Sequence, residues 1–132
     1  MAVIKATLTL TAAAGQVSTN AISLIETDTL TVDPQPQQGV TRVAIAVAGG
    51  TDVTLVPSSA KNKFVYVKHT GFQSDGTTGT TNEIVIDFGT TDSIRINAGD
   101  WAWFPAKAST AVTAVSNHVQ TILVEYAYFT RS

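Results

Sequence analysis

The sequence predicts an all-β domain, an antiparallel β-sandwich of about ten short strands with little helix. Three observations lead there. Apolar residues alternate with period two in short runs rich in Val, Ile, Thr and aromatics, as half-buried strands require. Gly, Pro, Asn and Asp separate the runs at regular intervals, which is the spacing of a sandwich or barrel. No stretch sustains an i, i+3, i+4 apolar pattern with caps at both ends, and the Ala-rich segment near Ala12 is too short to count. A jelly-roll-like arrangement is one common way for such a chain to shield its strand edges.

The strands are expected at residues 3–11, 21–25, 29–32, 40–47, 52–56, 63–69, 83–88, 93–96, 100–104, 111–115 and 121–129. In the run 83–88, Ile84, Ile86 and Phe88 share one face, and Glu83, Val85 and Asp87 share the other. That second face is half polar, so it is expected to be wet. Gly89-Thr90-Thr91-Asp92 then turns the chain into a hairpin with 93–96. Tyr126 and Tyr128 share a face with Ile122 and Val124, which reads as a buried strand whose hydroxyls reach the rim.

Three segments read as loops. Residues 33–39 contain Pro34 and Pro36, which lack the ladder donor and cannot sit in a central strand. Residues 71–82 are Gly- and Thr-rich and long for a hairpin tip, and 106–110 is shorter and Ala-rich. No boundary or repeat divides the chain, so residues 1–132 are expected as one domain, with 1–20 a candidate extended arm and 33–39 and 71–82 exposed loops.

Composition narrows the function. The 132 residues include no cysteine, which removes disulfides, thiolate metal sites and a cysteine nucleophile together. Only 14% are charged, against about 25% in an average chain, so the surface is neutral and Thr-rich. Depleted charge suits a surface covered by other subunits. A net charge of −2 without clustered Lys or Arg offers no footprint for nucleic acid. No window approaches the roughly 20 apolar residues of a membrane helix. Thr7, Thr9 and Thr11 interrupt any signal-peptide core, so the product is expected to be soluble and made in a cytoplasm.

The chemical motifs are few. Asp87, Asp92 and Asp100 fit neither the spacing of a calcium loop nor a carboxylate pair, and turn roles suit Asp92 and Asp100. His69 and His118 lack further ligands for zinc. No Ser sits in Gly-x-Ser-x-Gly, and Gly76-Thr-Thr-Gly79 lacks the Lys and helix of a phosphate loop. No catalytic residue, cofactor or metal is therefore assigned, and the chain is expected not to be an enzyme. The distinctive segment is Trp101-Ala102-Trp103-Phe104-Pro105. Trp101 and Trp103 share a face and could stack on sugar rings, but the sandwich core or a subunit interface is the commoner place for such a pair. Tyr126 and Tyr128 are the other candidate ligand or interface aromatics.

From Lys63 onward the chain runs Phe-Val-Tyr-Val-Lys-His-Thr-Gly at 64–71 and Ile-Val-Ile-Asp-Phe-Gly at 84–89. It continues Ile-Arg-Ile-Asn-Ala-Gly-Asp-Trp at 94–101 and ends Leu-Val-Glu-Tyr-Ala-Tyr-Phe at 123–129. This order resembles small virion proteins of tailed bacteriophages that decorate or cement the capsid. The resemblance implies a jelly-roll-like subunit on the capsid surface of the virion, bound to the major capsid protein, often as a homotrimer, and without a cofactor. It assigns no interface residue. A neutral sandwich with two tryptophans on one strand face also suits a carbohydrate-recognition module of a tail fibre or surface adhesin.

Overall fold

The computed structural model describes residues 2–33, 38–45, 52–89 and 91–132. They contain no helix and form antiparallel sheets throughout, consistent with a β-sandwich. The strands are β1 (Ala2–Ala12), β2 (Ile22–Val32), β3 (Gln38–Ile45), β4 (Val53–Val56), β5 (Lys63–Gln73), β6 (Ile84–Phe88), β7 (Thr91–Ile96), β8 (Trp101–Ala106), β9 (Val112–Ser116) and β10 (Ile122–Thr130). One sheet has the order β3-β10-β5-β8, a second has β4-β9-β6-β7, and β1 and β2 form a separate two-stranded ribbon. The pairings nest: β3 with β10, β4 with β9, β5 with β8, and β6 with β7 at the turn. A long hairpin has thus been rolled up, and the rolling adds the contacts of β5 with β10 and of β6 with β9.

The alternation in the sequence explains the core. Val65 and Val67 on β5, with Ile122 and Val124 on β10, are fully buried and face Ile84 and Ile86 on β6 and Val112 and Ala114 on β9. Phe104 of β8 and Phe88 of β6 meet edge to face at 5.3 Å, tying one sheet to the other. His69 ends the buried row on β5. Its Nδ1 accepts from the Gly71 N–H at 2.9 Å, so the Nε2–H donates to the Asn82 carbonyl at 2.7 Å. The ring thus holds the end of the 74–83 loop against β5.

Several expectations need correction. Residues 21–25 and 29–32 are one strand, because Glu26, Thr27 and Asp28 pair in unbroken register with Leu8, Thr7 and Ala6. Their side chains are exposed, so a polar stretch costs the ribbon nothing. Residues 2–20 of the candidate arm are accordingly one strand and the turn of this ribbon. Half of the 71–82 loop is ordered by pairing: β5 runs to Gln73, and Phe72 bridges to Gly79. Asp75 organises the rest, its carboxylate accepting the Thr77 and Thr78 N–H groups and the Thr78 hydroxyl. These bonds lower its pKa to about 2.

The face of β6 expected to be wet is buried, with Val85 at 0% and Asp87 at 6% exposure. β6 is an inner strand, and Val85 lies between Arg95 and Val115 in register, with Arg95 held to Glu83 by an ion pair. Asp92 sits in β7 opposite Asp87 instead of closing the turn, which Gly89 begins with φ 81°. Asp100 ends the turn after Gly99, and β8 begins one residue later at Trp101. β8 continues through Pro105 to Ala106, which an edge strand tolerates. Residues 34–37 of the Pro-Gln loop, and 46–47 of the expected strand 40–47, lie outside the described residues.

Candidate interaction surface

Strand parity decides where the aromatics go. On β10, Tyr126 and Tyr128 follow Ile122 and Val124 inward and pack against the core. Phe129 has the opposite parity and points outward with Ala127 and Glu125. On β5, Phe64 and Tyr66 alternate with the buried Val65 and Val67, so they share that outer face. Register places Tyr66 opposite Trp103, and Lys68 opposite Trp101. The two tryptophans therefore stand on the outside of the β3-β10-β5-β8 sheet, and of the two places expected for them, core or subunit interface, the core is overturned. The core is filled by aliphatic side chains from both sheets.

The outer face carries a continuous aromatic strip. Trp103 stacks on Phe64 with centroids 6.0 Å apart and planes 5° from parallel, and meets Phe129 at 6.3 Å. Trp101 is 56% exposed. The Tyr66 hydroxyl donates to Glu125 at 3.2 Å, and burial, that bond and the adjacent carboxylate raise the phenol's pKa. The four candidate aromatics of the sequence thus divide between opposite sides of one sheet. Phe64, Tyr66 and Phe129, all half-buried, belong to the outer group and were not among the candidate site residues. The Phe-Val-Tyr-Val alternation at 64–67 was the available signal for two of them.

The ribbon lies over this strip. Its base is tied to the end of β10: Val32 bridges to Arg131, the Asp33 N–H donates to the Thr130 carbonyl at 2.9 Å, and Lys61 pairs with Asp33 at 2.7 Å. Directly opposite residues in an antiparallel pair share a face. Ile4, Ala6, Leu8 and Leu10 of β1 therefore share one face with Leu30, Asp28, Glu26 and Leu24 of β2. Along that face the residues at the base are buried and most of those in the outer half are exposed. Val32 and Leu30 are buried, Ile4 and Ala6 are half-buried, and Leu8, Leu10, Leu24 and Ile22 are exposed at 42, 47, 37 and 36%. The other face carries Lys5, Thr7, Thr9, Thr27 and Thr29, with a Thr7–Thr27 hydroxyl contact of 3.0 Å.

Between the middle of the ribbon and the aromatic strip is an open cleft of about 840 Å³. Ala6, Leu8, Glu26 and Asp28 line one side, and Tyr66, Trp101, Trp103 and Phe129 the other. Its walls are mainly apolar, with two carboxylates and the Lys5 ammonium at the ribbon side, which suits an apolar occupant with some hydrogen-bonding groups.

Among the described residues, no group of three or more His, Asp or Glu side chains gathers as metal ligands would. Asp87 and Asp92 are register partners, and Asp100 lies in the turn where its carbonyl accepts the His69 N–H at 3.0 Å. His118 is half-buried and its N–H donates to the Ser116 hydroxyl. None of the described segments is a helix long and apolar enough to cross a membrane. No family model, curated protein or solved structure matches the chain.

Proposed function

We propose that this chain is a non-enzymatic structural virion protein that decorates and cements a bacteriophage capsid, binding the major capsid protein at the capsid surface as a homotrimer. One observation carries the reading: a long β-ribbon, tied to the sandwich at its base, carries an apolar face that is exposed over its outer half and strand edges that pair with the sandwich only at that base. A two-stranded ribbon alone is marginal in water, and exposed edges invite pairing. Such a ribbon is completed by assembly. The nested strand order also supports a jelly roll, since β3-β10-β5-β8 over β4-β9-β6-β7 is the order expected of two interlocked Greek keys. A cement acts by binding the assembled shell more tightly than its separated parts, which shifts the assembly equilibrium without chemistry.

The test is binding to expanded heads of the virus that encodes the chain. Purified protein should co-sediment with them to a saturable stoichiometry and raise the temperature at which they release DNA. Protein that stays monomeric and ignores intact heads across a range of salt would sink the proposal. A carbohydrate-recognition module is the second reading, favoured by the exposure of Trp101 over a cleft with two carboxylates. Trp103 weakens it, because Phe64 covers one face of its ring. Tryptophan emission titrated with host surface polysaccharide separates the two.

A further inference from the structure

We infer that the aromatic cleft is the seat for the ribbon tip of a second copy of this chain, so that copies join head to tail, tip into cleft. The inference rests on the oligomeric part of the proposed function and is independent of capsid binding.

The ribbon supplies one half of the contact. Residues 8–25, its outer half and turn, include eighteen positions without a single charged side chain. Natural proteins guard exposed strand edges with charge, Pro or bulges. Here the register runs through eleven pairs without a bulge, and the charged residues Lys5, Glu26 and Asp28 all sit nearer the base. An uncharged projection with Leu10, Ile22 and Leu24 on one face is built to be covered.

The cleft supplies the other half. It presents Trp101 and Trp103 to an apolar occupant. Glu26 and Asp28 outnumber Lys5 in the lining and disfavour an acidic partner, whereas the tip carries no charge and offers the side-chain amides of Gln16 and Asn20 beside its leucines. The chain's own tip cannot reach this seat. The cleft lies against the middle of the ribbon, and eleven paired residues at about 3.4 Å each make a stiff element roughly 35 Å long. That rigidity keeps the tip away from the cleft at its own mid-length, so the seat is open to the tip of another copy. A convex and a concave surface on one chain make a heterologous contact, which closes into a ring when the rotation permits.

The test uses the purified full chain without capsids. Leu10→Asp with Leu24→Asp disables the tip, and Trp101→Asp disables the cleft. Each variant should be monomeric by sedimentation, with self-association weakened at least about a hundred-fold. Mixed in equal amounts they should form a one-to-one heterodimer, since one retains an intact cleft and the other an intact tip. Thr9→Asp, on the opposite ribbon face, should assemble as the parent does. Far-UV circular dichroism checks that each variant folds. A parent chain that is monomeric at about 100 μM, a tip variant that still assembles, or a mixture that stays monomeric would each overturn the inference. So would a Trp101 emission shift produced by polysaccharide and never by self-association. A ring that ignores heads would refute capsid decoration and leave this contact standing; a monomer that binds heads would do the reverse.

Discussion

Trp103→Ala and Trp101→Ala test the outer aromatic strip, because the two residues share a strand face but differ in what holds them. A large aromatic buries roughly 150–250 Å², and apolar burial contributes about 25 cal/mol per Å². Trp103 is half-buried and makes two ring contacts, with Phe64 and Phe129. Losing roughly 100 Å² beyond what Ala retains costs about 2.5 kcal/mol, and the two ring contacts add about 0.5–1.5 kcal/mol each, for a total of about 4 kcal/mol. Trp101 is 56% exposed and has no ring contact among the described residues. The same arithmetic on roughly 50 Å² leaves about 1 kcal/mol. The assay is urea unfolding followed by far-UV circular dichroism, at a concentration where the parent is monomeric. Trp103→Ala should lower the midpoint by more than about 1 M, and Trp101→Ala by well under half of that. Above that concentration the order should reverse for assembly, with Trp101→Ala the more damaging. Equal costs within about 0.5 kcal/mol, or a larger cost at Trp101, would refute the reasoning that Trp103 belongs to the fold and Trp101 to the surface.

Two further predictions concern the 74–83 loop and its anchor. His69→Phe keeps volume but strands the Gly71 N–H and the Asn82 carbonyl, so it should cost about 2–4 kcal/mol. Calorimetry should show a melting temperature lower by roughly 10 °C; a shift within about 2 °C would mean that the ring nitrogens contribute little. Asp75 has a folded pKa of about 2 against an ordinary 3.8, because Thr78 and Thr77 donate to its charged form. The stability it lends is therefore complete above the ordinary value and lost as pH falls from there toward the folded one. Carbon-detected NMR should follow the Asp75 carboxylate to its low endpoint, and Thr78→Val should move it back up. A wild-type carboxyl titrating at its ordinary value would refute the loop geometry.

Much of the fold was legible because alternation is a local property. The Val-x-Val of β5, the Ile-x-Ile of β6 and the Ile-x-Val of β10 each mark a face, and the structure buries each of those faces. The absence of cysteine and the sparse charge were equally plain from composition. Alternation assigns residues to faces, but which faces meet depends on pairing between distant segments. Val85 and Asp87 are buried because β6 became an inner strand, flanked by β9 from much later in the chain. The tryptophans are outside because β8 pairs with β5 in the register that sets Trp103 against Tyr66. Residues 21–32 form one strand because β1 pairs with all of them through a polar centre that faces water. The residues of the candidate site could thus be named in part from the chain, while their gathering into a strip beneath an uncovered ribbon is a product of nonlocal register.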